Sequence, residues 1–69
     1  MSNHVYKSIE LTGSSPISIE DAISGAIAKA NESLRNIQWF TVTETRGQVK
    51  DGKVAHWQVT LKIGFRIEG

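Results

Sequence analysis

V-A-H-W-Q-V-T-L-K-I-G-F-R-I, residues Val54 to Ile67, alternates more cleanly than any other part of the chain. Trp57, Val59, Leu61, Ile63, Phe65 and Ile67 fall on one side; His56, Gln58, Thr60, Lys62, Gly64 and Arg66 fall on the other. A period of two over such a length predicts a strand with one face laid against something apolar. Asp51-Gly52, just before it, is a hairpin-turn signal. On the far side of that turn, Gln38 to Gln48 is rich in threonine and aromatic residues and reads as the partner strand. A two-residue turn sets the register, pairing Phe40 with Ile63 and Val42 with Leu61, so that the apolar faces match. Trp39, Thr41, Thr43 and Thr45 then face Gly64, Lys62, Thr60 and Gln58 on the polar side. A bulge near Arg46-Gly47 would shift residues 46 to 50 by one.

The apolar face needs a cover, and the N-terminal half supplies it. Ile19, Ala22, Ile23, Ala26, Ile27, Ala30, Leu34 and Ile37 form the single apolar stripe of an amphipathic helix. Ser18 is its N-cap, Asp21 makes a weak capping box, and Glu20 and Asp21 suit the positive end of the helix dipole. The helix is expected to end near Arg35 or Asn36. The alanines at 22, 26 and 30 allow close approach to the sheet. Ahead of the helix, Val5 to Thr12 alternates as a third strand, interrupted by Lys7 and broken by Gly13, Ser14, Ser15 and Pro16. The expected fold class is α+β, in the order β-α-β-β: one helix on a three-stranded antiparallel sheet, a single unit over residues 1–69.

With 69 residues, one such core rarely contributes more than about 3–5 kcal/mol without a disulfide, a metal or oligomerisation. Cysteine is absent, and His4 and His56 stand apart without partners at metal-ligand spacing. No metal is expected, and oligomerisation is the remaining staple. Eight basic and seven acidic residues leave no basic stripe for a nucleic-acid partner. No apolar run approaches the length of a membrane span, and Met1 to Lys7 lacks a signal-peptide core, so the cytoplasm is the expected compartment.

Three features could carry function. Trp39, beside Gly64, either packs over the glycine or fills a subunit interface, or else it offers an indole platform to a flat ligand. Gln58 is either a solvated strand residue or a reader of a ring edge that alternates N–H and C=O groups. Arg46 and Arg66 are either solvated charges or forks for a phosphate. Trp39 and Gln58 lie about six residues apart along neighbouring strands, roughly 20 Å. They can meet one ligand only from different subunits. No residue set for catalysis stands out: there is no cysteine nucleophile, no traceable Ser–His–Asp set and no Gly-rich phosphate loop.

Taken in order, VYKSIELTGSSP, DAISGAIAKANESLRNI, WFTVTETRG and HWQVTLKIGFRIE resemble the bacterial dodecins along essentially the whole chain. The resemblance implies a hollow homododecamer that holds flavins (FMN, riboflavin or FAD) in pairs between subunits. It implies that each ring stacks on Trp39 and is hydrogen-bonded by Gln58, with the FMN phosphate met by Arg46 and Arg66. It also implies coenzyme A binding at Lys7, Lys29, Ser33 and Arg35. Trp57 departs from the Tyr or Phe of many relatives and is expected to face the core. Ile17 and Ser18 stand where archaeal members carry an acidic metal ligand. The function implied is flavin storage and photoprotection, without catalysis. The alternative is a coenzyme A-binding shell in which flavin is secondary and Trp39 fills an interface.

Overall fold

The computed structural model describes residues 3–68. Its elements follow the expected order: β1 (Tyr6–Ser15), α1 (Ile19–Asn31), β2 (Ile37–Lys50) and β3 (Lys53–Arg66). The sheet is antiparallel with β3 in the middle, in the order β1-β3-β2. The cleanest alternation thus belongs to the central strand, whose Val59, Leu61 and Ile63 are fully buried. Ala22 and Ala26 close the core from the helix side, with Ile9, Leu11, Ile19, Ile23, Ile27, Ala30 and Ile37 packed around it.

β1 runs three residues past its expected end at Thr12. Gly13 is not a breaker. It pairs with Val59 beneath the helix, and a Cβ there would strike the carbonyl oxygen of Ala22 and sit 3.1 Å from the Ala26 methyl. Glycine on the strand and alanines on the helix together set the close approach. Ser15 is buried where β1 turns into α1. Its hydroxyl donates to Asp21 Oδ2 (2.7 Å) and accepts from the amides of Ile17 (2.9 Å) and Ser18 (3.4 Å). The Ser18 hydroxyl accepts from the Asp21 amide at 3.0 Å, as an N-cap does. The Asp21 carboxylate is thus used by Ser15 rather than reaching back to close a capping box.

The helix stops at Asn31, short of the expected Arg35 or Asn36. Its last turn tightens, with Ser33 N–H and Leu34 N–H both donating to Ala30 O. Asn36 then takes a left-handed conformation (φ 63°), and its carbonyl accepts from the Arg66 amide. Ile37 therefore reaches the core after the helix has ended, because the chain must reverse to lay β2 beside β3, and Leu34 is left half-buried.

Asp51 and Gly52 both have positive φ (53° and 76°), the primed two-residue turn that matches strand twist. The expected pairs Trp39–Gly64, Phe40–Ile63, Thr41–Lys62 and Val42–Leu61 are present. The pairs Thr43–Thr60 and Thr45–Gln58 are not. β-Bulges at Val42/Glu44 and Gln48/Val49 bracket a segment shifted by one, in which Glu44 faces Thr60, Thr45 faces Val59 and Arg46 faces Gln58. The first bulge falls earlier than Arg46-Gly47, and a third lies between Ile37 and Trp39.

The helix packs on β1 and β3. Beyond Ile37, β2 lies outside its reach, so Phe40 and Val42, expected to be buried, are 46% and 39% exposed. A 13-residue helix is about 20 Å long, while 14-residue strands run roughly 46 Å. The hairpin end therefore projects past the helix, leaving Val49 and Val54 exposed in a molecule 57 Å long and 13 Å thick.

Candidate functional site

The face of the sheet away from the helix is laid out in rungs. Ser8, Gly64 and Trp39 form one; Glu10, Lys62 and Thr41 the next; then Thr12, Thr60 and Glu44; then Ser14, Gln58 and Arg46. Thr12 and Thr60 share a hydroxyl–hydroxyl bond of 2.9 Å, and the Thr43 hydroxyl donates to Thr60 O at 3.2 Å beside the first bulge.

Trp39 stands at one end. A Cβ on Gly64 would overlap the Cε2, Cζ2 and Cδ2 atoms of its indole, so the ring is seated directly on the glycine. Tyr6 meets it edge-on, with centroids 4.9 Å apart and planes at 61°. Glycine, a void in the rung, and tyrosine, a lateral stop, hold the indole in place, yet Trp39 remains 44% exposed. Packing over the glycine and offering a platform are therefore compatible rather than exclusive. Arg66 pairs with Tyr6 on the adjoining rung, which puts one arginine at this end of the face.

Gln58 stands at the other end, six residues along β3 from Gly64, or roughly 20 Å. It is half-buried and accepts a 3.0 Å hydrogen bond at Oε1 from Arg46 Nε. Arg46 Nη1 is also 3.6 Å from Glu44 Oε1, with both side chains exposed. Simple alternation from the turn placed Arg46 opposite Trp57, on the helix side. The irregularity at Gln48/Val49, where β3 carries the extra residue Ala55, brings it opposite Gln58 instead, and the extra β2 residue Thr43 at the first bulge restores the register beyond. The sheet thus brings together Trp39 with Arg66 and Tyr6, and separately Gln58 with Arg46 and Glu44. It does not join the two groups within one chain. Tyr6, Gly64 and Glu44 were not singled out as site residues from the sequence.

A second cluster lies on the helix side. Lys29 and Ser33 line a groove of about 400 Å³ with Ile9, Leu11, Thr12, Ala26, Ala30 and Leu34. Lys29 forms an exposed i,i+3 pair with Glu32 at 3.6 Å. Lys7 precedes Ile9 by two residues on β1, and Arg35 follows Leu34; neither lines the groove. Trp57 lies half-buried on the helix side, as parity predicts, against Ile17, Ser18, Ile19 and Glu20. No group of three or more His, Cys, Asp or Glu side chains among the described residues is placed to hold a metal ion. No helix among them is long and apolar enough to cross a membrane. Met1 and Ser2, part of the segment read for a leader, lie outside the described residues.

Residues 5–68 match the family model described as Dodecin. A curated dodecin from Thermus thermophilus is 45% identical over 64 residues, 93% of each chain. The solved dodecin from Streptomyces coelicolor superposes with a TM-score of 0.94 at 51% identity, covering 100% of this chain and 99% of that one. The dodecin from Streptomyces davaonensis gives 0.94 at 47%, covering 99% and 100%. The order of elements, the three-stranded antiparallel sheet and the single helix are common to them. On sequence and fold alike, this chain belongs to the dodecin family.

Proposed function

We propose that this chain binds flavin, as FMN, riboflavin or FAD, between copies of itself in a hollow homododecameric shell, and that it stores and quenches the flavin without catalysing a reaction. The observation that carries the reading is the seated, half-exposed indole of Trp39. An aromatic ring is well stacked at centroid spacings of about 4.5–7 Å, and this indole is fixed from below by Gly64 and from the side by Tyr6. An excited flavin against an electron-rich indole loses its excitation by electron transfer, which keeps it from generating reactive oxygen. Gln58 supplies an edge contact from a second copy, and Arg66 and Arg46 supply positive charge for an FMN phosphate. Assembly is supported by the bare apolar face of Phe40 and Val42 on β2, since a core of five buried apolar residues among the described ones is small for a chain standing alone.

The groove beside Lys29 and Ser33 favours a second reading. Its floor is apolar and its rim carries a cation and a hydroxyl, features that suit a coenzyme A, with Lys7 and Arg35 close by in sequence. On that reading the shell binds coenzyme A and Trp39 fills an interface.

A titration of the protein with FMN, followed by flavin fluorescence, separates the two. Strong quenching that saturates with subunit concentration, and that Trp39→Ala abolishes, is expected for the flavin site. Fluorescence at its free value with micromolar protein would remove the flavin role and leave coenzyme A as the leading ligand.

A further inference from the structure

We infer that Arg46 is a positioning residue for Gln58, fixing its amide so that the site presents N–H donors, and therefore selects ring ligands with a carbonyl or imine acceptor at the edge. The inference rests on the flavin reading above and names the chemistry of one contact within it. Arginine has donors and no acceptor. A bond from Arg46 Nε to the Gln58 amide must therefore end on the oxygen, as it does at 3.0 Å. That choice engages one lone pair of Oε1, fixes which way the amide faces, and leaves both hydrogens on Nε2 available. Among the described residues the Gln58 amide makes no other side-chain hydrogen bond. Glu44, with its carboxylate 3.6 Å from Arg46 Nη1, draws on the other end of the same guanidinium. The shifted segment between the two irregularities makes this possible, because it puts Glu44, Arg46 and Gln58 on one face.

This role differs from holding phosphate. A phosphate contact acts only on phosphorylated flavin, whereas a positioned amide acts on the ring. Riboflavin, which has the ring and no phosphate, is therefore the decisive probe. Binding is measured by fluorescence quenching of riboflavin and of FMN with the assembled wild-type protein, Arg46→Ala, Arg46→Lys, Gln58→Ala and the Arg46→Ala/Gln58→Ala pair. Gel filtration checks that each remains assembled. Loss of one oriented hydrogen bond is worth roughly three- to tenfold in affinity. Riboflavin binding is expected to fall by that factor in Arg46→Ala. It is expected to fall similarly in Arg46→Lys, which keeps the charge but not the planar fork. With Gln58 already replaced, Arg46→Ala should weaken riboflavin no further. Unchanged riboflavin affinity in Arg46→Ala, or equal losses with and without Gln58, overturns the inference while leaving flavin binding intact. Wild-type protein that quenches neither probe overturns the flavin reading and this inference with it.

Discussion

Replacing Gly64 with alanine tests the seat of the indole directly. A Cβ at 64 would fall within the six-membered ring side of Trp39, and the backbone of the central strand cannot retreat without breaking its pairs to both neighbours. The indole must therefore move. Trp39 has a little over half its surface covered, about 100–140 Å² of an aromatic side chain of this size. At roughly 25 cal/mol per Å², lifting it away completely would cost about 2.5–3.5 kcal/mol, an upper bound. Partial repacking reduces the expected loss to about 1–3 kcal/mol, the usual range for a methyl forced into filled space. Urea unfolding at fixed subunit concentration gives the figure, since an assembling chain has a concentration-dependent stability. The control is Trp39→Ala/Gly64→Ala. Once the indole is gone, alanine at 64 should cost nothing, and it should even stabilise by about 0.5–1 kcal/mol, because glycine is the poorer strand residue. FMN quenching should fall with Gly64→Ala alone. An equal cost for Gly64→Ala with and without Trp39, or quenching unchanged by it, would refute the claim that the glycine exists to seat the ring.

Other consequences can be checked with single variants. Ser15→Ala removes a buried hydroxyl that joins Asp21 to the amides of Ile17 and Ser18, and denaturation should show a loss of about 1.5–3 kcal/mol, as for a buried network left unpaired. Phe40→Ser, at an exposed position of β2, should leave the circular dichroism of the strands in place but shift sedimentation toward smaller species. Sedimentation unchanged from wild type would place the subunit contacts elsewhere. Refolding Trp39→Ala together with Gln58→Ala should restore a minority of intact flavin sites, because each variant carries the half that the other lacks. No restoration in mixed assemblies would mean that the two residues do not serve one ligand across subunits.

Much of the fold is legible in the residues because two periodicities are strong. The alternation of β3 survives to a fully buried Val59, Leu61 and Ile63, and the stripe from Ile19 to Ala30 is the face that packs. Three features were not legible, each for a local reason. Gly13 carries the same letter whether it ends a strand or lets a helix approach, and only the position of Ala22 above it decides. The helix end was overrun because Leu34 and Ile37 continue the stripe in sequence, although Leu34 lies half-buried past the helix and Ile37 reaches the core from a strand. The bulge in β2 was hidden by threonines, which fit either face. A signal existed nonetheless: strict alternation would have put Glu44 and Arg46 beside Phe40 and Val42 on the apolar side. Two charges in phase with the apolar residues are physically inconsistent with a covered face, and one inserted residue resolves the conflict. Trp39 and Gln58 were placed correctly, at opposite ends of one face, because the pairs around Gly64 keep their register and the shift changes only the β2 partners of residues 56 to 60, Gln58 among them.

That separation has a thermodynamic consequence. Trp39 with Arg66 and Gln58 with Arg46 occupy rungs roughly 20 Å apart on a sheet only three strands wide, and no side-chain motion spans such a gap. On the flavin reading, the ligand site is then absent from the isolated chain and comes into being on assembly. Linkage makes the relation reciprocal: a ligand held by the assembled form alone must stabilise that form by an amount that grows with its concentration. On the same reading, the apolar face of Phe40 and Val42, exposed in the single chain, is what brings the two half-sites together. On that reading a small core is coupled to function, since a version of this chain stabilised as a monomer would lose its reason to assemble and with it the flavin site.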